Sequence, residues 1–249
     1  MNLHKEPDHD SLAGRIAAAA KLPTAPRGDG LALFDLDHTL LPIDSDYEWG
    51  RFLVRIGVLD SATHERENQR FYREYHEGTL DIAEYLAFAL QPLARSPRAE
   101  VLGWHQQFMA EVVQPALRPE AFALVQHHRD AGHLCAVVTA TNAFVTRPIA
   151  HALGFEHLVA TEVEEQDGQY TGRSVGTASF RAGKVVRTQE WLGTMAKDLA
   201  SFERTWFYSD SMNDLPLLKA VTNPVATNPD ARLRVAAQDQ GWPILQLFE

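Results

Sequence analysis

Four apolar residues, Leu31-Ala32-Leu33-Phe34, run directly into Asp35-Leu36-Asp37-His38-Thr39, and apolar character resumes at once with Leu40-Leu41. The first four read as a buried strand. Two carboxylates one residue apart at the end of such a strand are costly to desolvate and repel each other. A hard divalent cation such as Mg²⁺, which prefers oxygen ligands, would relieve both penalties. Aspartate is also common in turns, but a turn fits poorly where Leu40 and Leu41 follow so closely. The pair therefore reads as a nucleophile and its metal site.

After this strand the pattern turns helical up to about residue 117. Ser45-x-x-Glu48 matches a capping box, and Trp49, Phe52, Leu53 and Ile56 fall on one helical face. Phe71, Tyr72 and Tyr75 predict a second helix, and Ile82, Tyr85, Leu86 and Ala89 a third. Ser96-Pro97 reads as an N-cap and first helical position of a fourth, carrying Val101, Trp104, Phe108 and Val112. These aromatic stripes read as core. Four helices without an intervening strand form an insert.

From about residue 118 helices and strands alternate. Phe122 to Arg129 is helical and ends at Gly132; Leu134 to Thr139 is an apolar strand of the parallel-sheet type. A helix follows over Phe144 to Leu153, then a strand at Leu158 to Ala160. Asp167-Gly168 joins two short polar strands, Glu162 to Glu165 and Gln169 to Arg173, as a hairpin. Lys184 opens a helix, and Thr205 to Tyr208 and Pro243 to Leu247 are further strands. The alternation implies an α/β doubly wound sheet with functional groups at the carboxyl ends of its strands.

The 249 residues suit one large domain or a domain with an insert. A net charge of −10 argues against nucleic acid or an anionic membrane as partner, since both call for a basic surface. The single cysteine, Cys135, cannot form an internal disulfide and reads as a small buried hydrophobe. Residues 1–29 read as a weak helix followed by a Pro/Gly linker, without a signal-peptide core or a membrane span; the cytoplasm is the expected location. His127-His128 and His133 lack the i, i+4 pairing beside an acid that zinc sites favour.

Three further segments fall where the sheet rule places a site. Thr139-Ala140-Thr141-Asn142 follows an apolar strand and precedes a helix, so it offers either an anion site or an ordinary N-cap. Lys184 alone would read as a solvated lysine. In Tyr208-Ser209-Asp210-Ser211-Met212-Asn213-Asp214 acidic groups again follow an apolar strand. Asp35, Asp37, Asp210 and Asp214 would together make a carboxylate cage.

With these segments in order, the chain resembles the haloacid dehalogenase superfamily, in its phosphoserine phosphatase-like branch. The motifs are Asp35-x-Asp37-x-Thr39, Thr139, Lys184 and Asp210-x-x-Asn213-Asp214. The resemblance implies a Rossmann-like core, residues 30–43 and 118–249, carrying an inserted helical cap over residues 44–117. It implies Asp35 as nucleophile forming an aspartyl-phosphate and Asp37 as general acid and base. Mg²⁺ would be held by Asp35, the Asp37 carbonyl and Asp210, with Asp214 and Asn213 behind. Thr139 and the Ala140 backbone would hold phosphate oxygens, Lys184 would screen charge, and Thr39 would order the loop. His38, at a variable position of the motif, would touch substrate or steady the loop.

In true phosphoserine phosphatases an acidic residue nine positions after the nucleophile reads the substrate amine, and a cap arginine reads its carboxylate. The first position is Asp44. The second aligns with Ala89, which cannot pair with a carboxylate; Arg51, Arg55, Arg70 or Arg73 would have to substitute. An amino-phosphate without a carboxylate fits better, and L-histidinol phosphate is one. The chain also resembles a proteobacterial subgroup often assigned to that substrate, sharing Asp44-Ser45-Asp46, Trp104-His105-x-x-Phe108-Met109 and Tyr208-Ser209-Asp210-Ser211. Asp46, with Glu48, Trp49 and Tyr72, would receive the imidazole. Phosphoserine is the alternative; a phospholipid head group, a phosphomutase reaction and a non-catalytic binding module rank lower. The expected partner is a small phosphorylated metabolite, met by a monomer or homodimer.

Overall fold

The computed structural model describes residues 11–12, 14–16 and 29–248. The helix and linker expected within residues 1–29 lie largely outside these. Of that stretch, Ile16 is buried in the main core and Arg15 Nη1 donates to the Gln246 carbonyl at 3.3 Å.

Seven strands form one sheet in the order β4-β3-β2-β1-β5-β6-β7. They are β1 (Gly30–Phe34), β2 (Leu134–Asn142), β3 (His157–Gln166), β4 (Gln169–Val175), β5 (Arg204–Ser209), β6 (Asn223–Thr227) and β7 (Ile244–Leu245). All pair in parallel except β3 with β4. Leu31 and Leu33 face one layer of core and Ala32 and Phe34 the other, so β1 is apolar throughout because both its faces are covered. Phe34 stacks on Tyr208 of the neighbouring strand at 5.1 Å. Cys135 is a free, buried thiol, as expected.

Between β1 and β2 lie only helices: α1 (Ser45–Arg55), α2 (Ser61–Glu77), α3 (Ile82–Ala94) and α4 (Arg98–Phe108). A π-turn over Met109–Val113 and a short turn, Gln114–Ala116, extend α4. Three aspartates start the first three helices, Asp44, Asp60 and Asp81, each accepting backbone N–H groups that the helix cannot satisfy. Trp49, Phe52 and Phe108 stack together where α1 meets α4.

Several local expectations are corrected. The cap of α1 is Asp44, not Ser45, whose hydroxyl is buried without a partner; Glu48 pairs with Arg51 instead of closing a capping box. No Ser96 hydroxyl caps α4, where Pro97 takes the N-cap position. Val113, and not Val112, is buried, because the π-turn adds a residue and rotates the apolar stripe by one place. The two strands expected at 158–160 and 162–165 are one bulged strand, β3.

A further helix, α5 (Pro119–Asp130), leads into β2, and beyond β2 the chain alternates through α6 (Ala143–Ala152), α7 (Ala182–Gly193), α8 (Leu215–Ala220) and α9 (Ala231–Gln240). Strand β6 and helices α8 and α9 carried no clear sequence signal. Pro224 disguises β6; it is tolerated because β7 joins only at Ala226 and Thr227.

Candidate active site

The chain leaves β1 for β2 on one side and later returns to β5 on the other, so the carboxyl ends of these three strands converge. Asp35 follows β1, Thr139 to Asn142 close β2, and Asp210 follows β5. The Asp35 amide donates to the Tyr208 carbonyl at 2.9 Å, which aligns the first and last of these loops.

Beneath them lies Lys184, 1% exposed, at the first turn of α7. Its Nζ donates to Asp35 Oδ1 and to Asp214 Oδ2, each at 2.7 Å. Burial opposes the charge on this ammonium, but the adjoining Asp214 and Asp35 carboxylates outweigh it and raise its pKa. Gly183 allows the approach: a Cβ there would lie 2.0 Å from the Ala178 carbonyl oxygen. Asp214 Oδ2 also accepts from Ser209 Oγ at 2.7 Å, while its Oδ1 is buried without a partner.

Thr39 joins the acids from above. Its Oγ1 accepts from the Asp210 amide at 3.0 Å and lies 3.3 Å from Asp35 Oδ2 and 3.4 Å from Asp210 Oδ1. Burial pushes Asp35 up to about 7 even with Lys184 beside it, and pushes Asp210 well above the usual carboxylate range, reinforced there by Asp35 and Asp214. One ammonium thus faces several carboxylates, a surplus that a proton or a cation must offset. Among the described residues no three His, Cys, Asp or Glu side chains form a ready ligand cluster; an expected set of two carboxylates and a main-chain carbonyl would not make one.

Asp37 points toward the helical block. Its Oδ1 accepts from the Ser45 amide and its Oδ2 from Thr141 Oγ1, both at 2.8 Å. Burial, then Asp44, raises it to about 6. Thr141 was an unassigned member of its segment, yet it is this hydroxyl that reaches the acid. Thr139 is buried one layer below, its Oγ1 accepting from the Thr141 amide at 3.2 Å, and Asn142 caps α6. Ala140 and Thr141 line the cleft. His38 also lines it, at φ +57 with its carbonyl held by Asn228 Nδ2.

The cleft encloses about 50 Å³ between the strand ends and the helical block. Asp44 and Asp46 also line it. Asp44 Oδ1 is taken by the amides of Asp46 and Tyr47. Asp46 accepts from Tyr85 Oη at 2.5 Å and Asn142 Nδ2 at 3.4 Å, and burial raises its pKa to about 7. Tyr47 and Tyr72 bring their rings within 5.2 Å of each other at the rim. Tyr85 and Asn142 were not anticipated as Asp46 partners; no spacing rule links positions so far apart.

No arginine lines this cleft among the described residues. Arg51 and Arg55 pair with Glu48 and Glu111, and Arg70 is held by Glu67, Glu74 and Glu84. Ala89 lies one turn behind Tyr85, in a small void whose lining residues Asp46, Asn68 and Tyr85 also line the cleft. Asn213 faces away from the acids: its Oδ1 accepts from Arg181 Nε and its Nδ2 donates to the Tyr75 carbonyl. His128 is sealed behind β5, bonded to His133 and to Tyr208 Oη, with burial lowering its pKa.

Comparison with known proteins gives the family and the fold. The family model for haloacid dehalogenase-like hydrolases matches residues 32–219. A histidinol-phosphatase of Neisseria meningitidis is 45% identical over 216 residues, spanning 86% of this chain and 97% of that protein. A phosphoserine phosphatase of Mycobacterium tuberculosis is 31% identical over 86% of this chain and 69% of its own. A Bordetella pertussis protein of unknown function superimposes with TM-score 0.85 at 50% identity, covering 89% of this chain and 100% of that one. A substrate-bound phosphoserine phosphatase shares the fold at TM-score 0.63 and 20% identity, over 87% of this chain and 92% of its own. The chain belongs to the haloacid dehalogenase-like hydrolases.

Proposed function

We propose that this protein hydrolyses a small phosphate monoester through an aspartyl-phosphate on Asp35, and that its substrate is an amino-phosphate lacking a carboxylate, best represented by L-histidinol phosphate. The observation that carries the substrate reading is the cleft wall. It presents Asp44, Asp46 and phenol rings, and no guanidinium among the described residues. Carboxylates and aromatic faces attract an ammonium or imidazolium and repel a carboxylate. The 45% identical relative bears the matching name, histidinol-phosphatase.

In this reading residues 44–117 are a cap over a core of residues 30–43 and 118–249. An Asp35 oxygen attacks phosphorus as the ester P–O bond breaks, and Asp37 delivers a proton to the leaving oxygen. Its raised pKa favours holding that proton, and Thr141 and the Ser45 amide fix its aim. Asp37 then takes a proton from the water that opens the aspartyl-phosphate. Lys184 steadies the charge on Asp35 from below, and the Ala140 and Thr141 segment borders the phosphoryl group, with Thr139 bracing it.

Asp35, Asp210 and the Asp37 carbonyl, with Asp214 behind, fit a hard divalent cation; Asn213, expected beside them, instead bonds Arg181 and the Tyr75 carbonyl. The buried, partnerless Asp214 Oδ1 and the strongly raised Asp210 mark charge that the protein alone leaves uncompensated. Mg²⁺ bound there would neutralise part of the phosphoryl charge. A metabolite-directed, cytoplasmic role belongs to the same proposal. Among the described residues no helix is long and apolar enough to cross a membrane.

Replacing Asp35 with Asn should reduce turnover by about a thousandfold or more while the far-UV spectrum is unchanged; near-normal phosphate release would remove Asp35 as nucleophile. Chelation by EDTA should stop turnover and lower Tm, with Mg²⁺ restoring both. Full activity in chelated buffer would contradict the cation reading. Across a panel of phosphate esters, histidinol phosphate should exceed phosphoserine in kcat/KM by at least about tenfold, or roughly 1.4 kcal/mol. A preference for phosphoserine would reverse the substrate assignment.

Asp46 supplies a stability test. Between about 4, the ordinary carboxylate value, and about 7, its value here, the folded protein keeps a proton that the unfolded chain has released. This contribution therefore weakens the fold as pH rises through that window. Asp46→Asn lacks it, so the variant should gain stability relative to the parent from pH 5 to pH 8 in metal-free urea denaturation. A difference independent of pH would show that Asp46 titrates normally.

A further inference from the structure

Carbonyls at the C-terminal end of α2 lie at the negative end of a 17-residue dipole, and the Gly78 amide already closes back on the Tyr75 carbonyl at 3.2 Å. Three side chains from separate parts of the core take them. Asn213 Nδ2 donates to the Tyr75 carbonyl at 2.9 Å, Arg232 Nη1 to that of His76 at 3.1 Å, and Arg181 Nη2 to that of Gly78. The guanidiniums meet over Gly78, where the chain leaves α2 at φ +76. A Cβ there would lie 3.0 Å from Arg232 Nη1 and 3.5 Å from Arg181 Nη2. Phe180 adds an apolar contact, clustering with Phe71 and Leu80 of the helical block.

Arg181 differs from Arg232 in what else it holds. Its Nε donates to Asn213 Oδ1 at 3.3 Å, so Arg181, Asn213 and the end of α2 close a ring of hydrogen bonds. Its carbonyl accepts from the Lys184 amide at 3.1 Å. Its backbone sits at φ +51 and ψ −121, a positive-φ conformation rare for any residue but glycine, which persists only where the surroundings impose it. Asn213 is in turn the neighbour of Asp214, the second carboxylate on Lys184.

We propose that Arg181 is a positioning residue: it registers the seating of α2 on the core through Gly78 and, through Asn213 and the turn to Lys184, holds the Lys184–Asp214 side of the site in register. When the helical block is seated, the α2 carbonyls fix Arg181 and Asn213. When it lifts, both lose those partners together and the turn at 181 is free to relax. The site is thereby aligned only while it is covered. The kinetic part of this proposal rests on the phosphatase reading, and the structural part does not.

The test compares the full-length parent with Arg181→Ala, Arg181→Lys and Arg232→Ala, by steady-state hydrolysis of p-nitrophenyl phosphate and by amide hydrogen exchange. Arg181→Ala should lower kcat about tenfold while KM moves less than about threefold, the scale expected of a misplaced catalytic group. It should speed exchange at Gly78, Thr79 and Leu80 and leave β1 and β5 protected, and Arg181→Lys should recover part of the loss. Arg232→Ala should loosen the same amides but hold kcat within about twofold, since it does not reach Asn213. The proposal is overturned if Arg181→Ala keeps its kcat, if its loss comes with faster exchange throughout β1 and β5, or if Arg232→Ala loses as much. Should the parent hydrolyse no phosphate ester, the phosphatase reading fails instead. Exchange at Gly78 to Leu80 then decides alone: acceleration in Arg181→Ala supports the clasp and unchanged rates refute it.

Discussion

The buried bridge from Lys184 to Asp35 and Asp214 is the interaction on which the rest depends. A lone ammonium or carboxylate at this depth would be expelled or neutralised. Here each is tolerable only because the other is in place. The partners are 149 and 30 residues apart in sequence, so the bridge forms only when β1, α7 and the turn after β5 are all seated. Removing one member of such a buried set costs about 3–5 kcal/mol because the remaining charges are left uncompensated. The loop ends are thus held by charge where the sheet alone would leave them free.

A second constraint runs through Asp37. One of its oxygens is bonded to the first turn of α1 and the other to the end of β2. It therefore sits at the joint between the helical block and the sheet, and it lines the cleft they enclose. The same joint is fastened on its far side by Arg181, Asn213 and Arg232 at the end of α2. Bonds at both ends therefore hold the helical block against the sheet around the cleft.

The sheet and the acidic loops were legible because they obey short-range rules. Apolar runs bounded by aspartate mark β1 and β5, and the gap between β1 and β2 contains only helical periodicity. What escaped was set by contacts across the chain. Thr141 outranks Thr139 at the cleft because of how β2 ends, and Tyr85 reaches Asp46 because α3 packs beside α1. Asp44 replaces Ser45 as the cap of α1 through a shift of a single residue, a difference that spacing alone does not resolve. Val113 replaces Val112 because a π-turn has no distinct sequence signal. Strand β6 was hidden by Pro224, which is acceptable only at a place where the neighbouring strand has not yet joined.

The charge pattern of the cleft raises an apparent conflict: a phosphate ester is itself an anion, yet it must enter a space walled by carboxylates. The geometry separates the two demands. Lys184 bonds Asp35 at the strand ends, whereas Asp44 and Asp46 line the cleft together with Tyr47, Tyr72 and Tyr85. A molecule with phosphate at one end and an ammonium or imidazolium at the other matches this polarity from end to end. On the substrate reading proposed above, adding a carboxylate beside the amine, as in phosphoserine, would set a negative group among Asp44 and Asp46 in a cleft that no arginine among the described residues lines. On the proposed reading, repulsion of that kind would cost more in a cleft than in open solution, and the wall would select against the wrong substrate as much as attract the right one.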